Sequence, residues 1–229
     1  MQKILNSTSN EKPVRRTQAQ RSQEMRERLI EAAITVLEHD GYSAASVNRV
    51  VDVAGVSKGA YLHHFPTKHQ LIVAVGDALL YEKYRSAGDL MLSVHEANNR
   101  FAHVVRYLWR DISTSRYGQV LLELLQACRA DKNLVDALRP LIERYEPLFQ
   151  HAFSHYFEPV DGRIEALHEV NRIVTWCLRG MLLDDILGRD KEFFDRHVEM
   201  LIVIVSPYIK ARNVSEPPPK LEEFYIEGQ

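Results

Sequence analysis

The sequence predicts an all-α protein of about nine helices, with an N-terminal three-helix domain followed by a larger helical domain. Three observations carry this. Apolar residues recur at helical spacing in segment after segment, as with Val47, Val50, Val51 and Ala54. Ser46, Ser57 and Thr67 each stand just before such a segment, where a side-chain oxygen can cap the first turn. Gly41 and Gly55 each follow the last apolar position of one, where a left-handed residue can end a helix.

In chain order, residues 1–21 are polar and aperiodic, contain Pro13, and bear Lys12, Arg15, Arg16 and Arg21, which predicts a mobile basic arm. Leu29, Ile30, Ala33, Val36 and Leu37 form the apolar face of a helix over 22–39, closed by Asp40-Gly41 and followed by Tyr42. Two short helices then meet at Gly55. So tight a turn holds them at the steep angle of a helix-turn-helix, although a glycine corner also occurs in ordinary helical proteins. Thr67 opens a fourth helix with Leu71, Ile72, Val75, Leu79 and Leu80, running to about residue 85, and Gly88 marks a break or kink.

Five further helical segments are expected at 90–112, 117–130, 134–156, 164–187 and 191–208. Pro140 and Pro147 would kink or split the third of these. The run Leu201 to Val205 could be a strand by itself, but its flanks are helical. Pro217 to Pro219 make the tail from 213 extended. Two of the segments are apolar on two faces. In 164–187 one stripe is Leu167, Val170, Val174, Leu178 and Met181, and the other is Ile173, Trp176, Gly180, Leu183 and Leu187. In 191–208, Phe194, Val198, Leu201 and Val205 run beside Phe193, Met200 and Ile204. Such helices are buried on two sides, either deep in one core or between subunits.

The chain has 229 residues, 45% of them apolar, and a net charge of −2. Residues 1–70 hold ten Lys and Arg against seven Asp and Glu, and the remainder nineteen against twenty-four, so positive charge gathers near the helical corner. Cys128 and Cys177 sit in apolar helical surroundings and read as reduced thiols. No CxxC, HExxH, nucleophile motif or Gly-rich phosphate loop occurs, so no metal, cofactor or catalytic residues are expected. With no apolar run of membrane-spanning length and no secretory signal, the chain reads as cytoplasmic.

Ala-Gly-Val-Ser-Lys-Gly at 54–59 and His-His-Phe-Pro-Thr-Lys at 63–68 resemble the DNA-binding segment of the tetracycline-repressor (TetR) family of transcriptional regulators, and the likeness covers about 21–75. It implies a basic arm at 1–21, a DNA-binding domain at 22–82, a ligand-sensing and dimerisation domain at 83–212, and a tail at 213–229. The partners implied are a palindromic double-stranded DNA operator, a second copy of the chain paired through its last two helices, and a small-molecule effector, apolar or aromatic, that releases a repressor. Carried over from the family, Ser46, Asn48, Lys58, Gly59 and Ala60 face the groove, while His63, His64 and Lys68 touch phosphate or the groove rim, and Ser57 and Leu62 complete the expected DNA-binding set. Lys58 suits guanine and Asn48 adenine.

Two positions depart from the family pattern. Val51 replaces the usual alanine at a close helix contact, and Leu62 stands where the usual tyrosine donates to phosphate, leaving Tyr61 to turn toward the core. Candidate ligand-pocket residues are His103, Tyr107, Gln126, Tyr145, Phe149 and Trp176, with Arg106, Trp109 and Glu123 of the same character. The competing function class is a helical enzyme or carrier whose N-terminal motif is only a corner. A helical adaptor is a third. Paired His63 and His64 as a metal site is disfavoured because adjacent helical residues diverge.

Overall fold

The computed structural model describes residues 17–94 and 100–218, and the expected arm at 1–16 and the end of the tail from 219 lie outside them. Nine α-helices are present among the described residues, with a short two-stranded pairing near the end. Helix α1 (Gln18–Ala44) starts earlier than its apolar periodicity suggests, because Thr17 and Gln20 close a reciprocal capping box. Residues 18–21, expected in the arm, are therefore helical. Gly41, at φ +75°, breaks the ladder before one last turn. A side chain there would also press on Glu123 Oε1, 3.2 Å from the site of a Cβ.

Helix α2 (Val47–Ala54) is capped by Ser46 and closed by Gly55 in the left-handed conformation, and α3 (Lys58–His64) is capped by Ser57. Helix α4 (Lys68–Ser93), with a Thr67–Gln70 capping box, runs well past 85 and stays helical through Gly88. The expected break fails because one glycine costs only about 1 kcal/mol in a helix that packing holds on one face.

Helix α5 (Arg100–Tyr107) passes into a π-helical turn at Leu108–Ser113, where Thr114 N–H reaches back five residues to Trp109 O at 3.2 Å. Helix α6 (Arg116–Ala127) begins against that turn. A Cβ on Gly118 would lie 2.3 Å from the carbonyl oxygens of both Ile112 and Ser113, so only glycine allows the approach. Helix α7 (Lys132–Tyr156) runs unsplit through Pro140 and Pro147, correcting the expected division. Leu138, Leu141 and Tyr145 hold it in the core, and Gly76 of α4 admits Leu141, whose Cδ2 lies 3.0 Å from where a Cβ on that glycine would stand.

Helices α8 (Ile164–Asp185) and α9 (Lys191–Val205) follow, then a 3₁₀ turn at Ser206–Tyr208. Strands β1 (Phe157–Pro159) and β2 (Ile209–Ala211) pair antiparallel, Glu158 opposite Lys210, where loop and helix end were expected. Arg100 fastens this region. Its guanidinium donates to the carbonyls of Arg212 (2.7 Å), Val214 (2.8 Å) and Val94 (3.0 Å), joining the end of α4 to the last described segment.

Two apolar cores result. One joins α1–α4 to Val120 and Leu124 of α6 and Leu134, Leu138 and Leu141 of α7. The other packs α5, the π turn, β1, α8 and α9. The expected domain limit at 82/83 falls inside α4, and the first core extends across it. No helix among the described residues is long and apolar enough to cross a membrane.

The two apolar faces of α8 and α9 separate cleanly. Leu167, Val170, Val174 and Leu178 are buried, while Ile173, Trp176 (60% exposed), Leu183 and Leu187 face outward. On α9, Phe194, Val198, Leu201 and Val205 are buried, and Met200, Val203 (67%) and Ile204 (58%) face outward.

Candidate nucleic-acid interface and helical cleft

The corner between α2 and α3 is set by local chemistry. Ser46 Oγ accepts from Arg49 N–H at 3.3 Å and Ser57 Oγ from Ala60 N–H at 3.1 Å, while Val56 N–H closes on Val51 O at 3.1 Å. Val50, Val51 and Ala54 turn inward against α1, and Tyr61 is buried beside Phe65, with ring centroids 6.3 Å apart. With Tyr61 as anchor, α3 presents its other side. Ser57, Lys58, Gly59, Leu62 and His63 are exposed, as are Ser46 and Asn48 on α2, while Ala60 and His64 are partly buried. Tyr61 lies inward and Leu62 outward, as expected. Val51 is buried.

Gly59 is informative. A Cβ there would meet only Ser57 Oγ, at 3.9 Å, so the fold itself does not require glycine. Its absent side chain leaves the first turn of α3 open to whatever approaches from outside. The rings of His63 and His64 lie edge to face at 5.1 Å, closer than divergent neighbours on a helix are expected to come. No third metal-ligating side chain joins them among the described residues. Burial, with His63 and Arg26 as neighbouring charges, lowers the pKa of His64.

Lys68 departs from its expected role. Its ammonium donates to Tyr42 O at 2.9 Å and lies 3.9 Å from the Tyr42 ring centroid, and burial pulls its pKa down. It is turned inward because Tyr42 sits at a junction. Tyr42 N–H donates to Glu123 Oε1 of α6 at 2.7 Å, and its hydroxyl donates to Asp131 Oδ2 at 2.8 Å. Asp131 in turn caps α7 through Leu134 N–H and lies 3.6 Å from His69 Nε2. Burial and then the Asp131 bond push the Tyr42 phenol well above its ordinary pKa, and the same bond lowers that of Asp131. The helix-turn-helix is thus tied to the α6–α7 corner by directed hydrogen bonds as well as by apolar packing. Arg116 adds a second tie, from α6 to Glu31, Thr35 and Glu38 of α1.

A narrow cleft opens between α4, the π turn, α6 and α8, with an empty volume of about 480 Å³ including the part that meets solvent. Leu108, Ile112, Leu121, Leu125 and Leu182 line it, together with Lys83 and Arg179. None of the expected pocket residues borders this cleft. His103 and Gln126 are exposed, Trp176 is on the outward face of α8, and Tyr107 does not border the cleft. Gln126 instead borders an open groove with Gly41 and Glu123. Tyr145 donates to Asp77 Oδ1 at 2.9 Å, and Phe149 packs edge to face with Tyr84 and at a tilt against Tyr145. Arg106 is held by Glu199, Trp109 packs on Phe194, and Glu123 is taken by Tyr42. Helical periodicity marks these residues as inward or polar without showing which helix each would meet.

The cleft's cations do leave a sign in the sequence. Leu71, Val75 and Leu79 form an apolar stripe at steps of four along α4, and Lys83 occupies the next step. Burial, with the like charge of Arg179 nearby, pulls the Lys83 ammonium down to about 8 from 10.5, and burial also lowers the Arg179 guanidinium. Lys83 Nζ lies 5.4 Å from the ring centroid of Phe149.

Fold and exposed corner together define a helix-turn-helix DNA-binding regulator. Residues 29–75 match the family described as "Bacterial regulatory proteins, tetR family". The matched segment runs from α1 into the start of α4 and contains the helix-turn-helix. It is similar to the HTH-type transcriptional regulator CymR of Pseudomonas putida, 27% identical over 187 residues that cover 80% of this chain and 90% of the relative. Among solved structures, a TetR-family regulator of Mesorhizobium loti shares the fold at a TM-score of 0.62 and 17% identity, covering 82% of this chain and 98% of that one. A transcriptional regulator of Saccharomonospora viridis, in complex with choline, aligns at a TM-score of 0.56 and 15% identity, covering 82% of this chain and 99% of that one. These relatives are regulators, not enzymes.

Proposed function

We propose that the protein is a cytoplasmic repressor that binds a palindromic operator as a homodimer and is released by a small molecule. The observation that carries the reading is the exposed first turn of α3, with Ser57, Lys58 and a Gly59 that the fold does not require, together with the exposed Asn48 of α2. Lys58 can donate to guanine O6 or N7 and Asn48 can pair with adenine, while Leu62 offers a methyl contact to thymine. Ser46, Ala60, His63 and His64 border this surface, and the inward Lys68 supports it by holding Tyr42.

The outward apolar faces of α8 and α9 support dimerisation, since so much exposed aliphatic and aromatic surface is unusual on a monomer. Two-fold symmetry would set two recognition helices about 34 to 36 Å apart, or a multiple of that, on a palindromic site. The cleft supports ligand control, because α4 lines it and also begins next to α3. A ligand preferring one position of α4 would change operator affinity by its differential affinity for the two states.

The test is selection of bound DNA from a random pool, with wild type and Lys58→Ala. The expected result is an inverted repeat for wild type, with the variant losing about 1 to 3 kcal/mol of discrimination at one base position per half-site. An unchanged sequence preference in the variant would refute the assigned orientation of α3.

A further inference from the structure

Several arginines that reach between helices among the described residues are paired with carboxylates. Arg106 pairs with Glu199, Arg110 with Asp195, Arg116 with Glu31 and Glu38, Arg144 with Asp77, and Arg172 with Glu146. Arg179 and Lys83, on the walls of the α4–α6–α8 cleft, have no carboxylate or hydrogen-bonding partner among the described residues. Two like charges partly withdrawn from water beside a wall of leucines oppose one another and destabilise the empty site. Ser113 and Thr175 are the polar side chains beside them, and neither carries charge.

We infer that the cleft takes a small carboxylic acid as its anion, with the carboxylate between Lys83 and Arg179 and an apolar body along Leu108, Leu121, Leu125 and Leu182. The inference rests on the ligand-responsive reading for its effect on DNA, but not for binding itself. An arginine accepts a carboxylate through parallel N–H donors and a lysine through a point charge, so the pair both orients and neutralises the ligand. The enclosed space is only about 40 Å³ and the rest of the cleft opens to solvent, so the body of the acid would lie along that opening. A quaternary amine such as choline would meet two cations here.

The experiment titrates full-length protein with octanoate, phenylacetate and 4-phenylbutyrate, each beside its neutral amide, and with choline, by calorimetry and by thermal melting. Release of the selected operator is read in parallel by fluorescence anisotropy. At least one acid is expected to bind about tenfold or more tightly than its amide. Lys83→Met and Arg179→Met should each remove that preference, and Lys83→Arg should retain most of it. Amides binding as tightly as acids, or a preference unchanged in both Met variants, would overturn the inference. Operator release by a neutral compound or by choline would overturn it and leave ligand control standing. An acid that binds through Lys83 but leaves operator affinity unchanged would support the anion site and refute ligand control. Binding by no compound of any charge would count against both.

Discussion

Lys83→Met should make the ligand-free protein more stable at neutral pH, the reverse of the usual effect of altering a partly buried residue. The ammonium falls from 10.5 to about 8 in the folded chain through burial and the nearby Arg179. At about 1.4 kcal/mol per pKa unit this is a penalty of about 3 kcal/mol for holding the charge. Residual solvent contact screens part of it, leaving about 1 to 3 kcal/mol. For a chain of this size the melting temperature should rise by roughly 3 to 10 °C. The pH dependence fixes the cause. Below about 8 the lysine is charged in both states and the penalty is fully present. Between about 8 and 10.5 the unfolded chain keeps a proton that the folded chain has lost, so wild type gains stability relative to the variant as pH rises. Melting curves of both proteins from about pH 7 to about pH 10 should therefore converge. A variant that melts at or below wild type at neutral pH, or a gap of constant size across the series, would refute the reasoning.

Trp176→Glu, on the outward face of α8, should leave the fold intact and disrupt the homodimer, whereas Val174→Glu on the buried face should prevent folding; sedimentation and circular dichroism distinguish the two. Gly118→Ala should cost about 1 to 3 kcal/mol, because a methyl group 2.3 Å from two carbonyl oxygens must displace the π turn or the start of α6, and urea unfolding reads the loss. Tyr42→Phe should cost about 1.5 to 3 kcal/mol in urea unfolding, since it removes the bond from the phenol to the Asp131 carboxylate, while keeping the Lys68 and Glu123 contacts to its backbone.

The N-terminal corner is legible in the sequence because its determinants are local. Ser46, Gly55, Ser57 and Thr67 act within a few residues of where they stand, and each does what its spacing implies. The inward Tyr61 and outward Leu62 follow from the same helical register. Contacts between distant segments are not legible. Lys68 looks like a surface cation until Tyr42, 26 positions earlier, is folded beneath it. Pro140 and Pro147 look like breaks until the core holds α7 together, and β1 and β2 are each three residues long, too short for any periodicity. The two stripes on α8 read as distinct faces and are so, yet Trp176 also reads as a pocket residue, because an aromatic ring in an apolar helix does not say which side it serves. Lys83 and Arg179 interrupt apolar surroundings, and that interruption is the sign of the cleft that the sequence carries.

The Arg100 clasp bears on the order in which the molecule is assembled. Its acceptors at Arg212 and Val214 lie 112 and 114 positions along the chain. Closing so long a loop carries an entropic cost before any bond repays it, so this contact forms after the local helices. The core of α5, α8 and α9 is therefore completed only when the segment around 209–214 has docked. A protease cut before Arg212 would remove two of the three carbonyls that accept from a buried guanidinium, and would loosen the second core while the caps of the DNA-reading corner stayed in place.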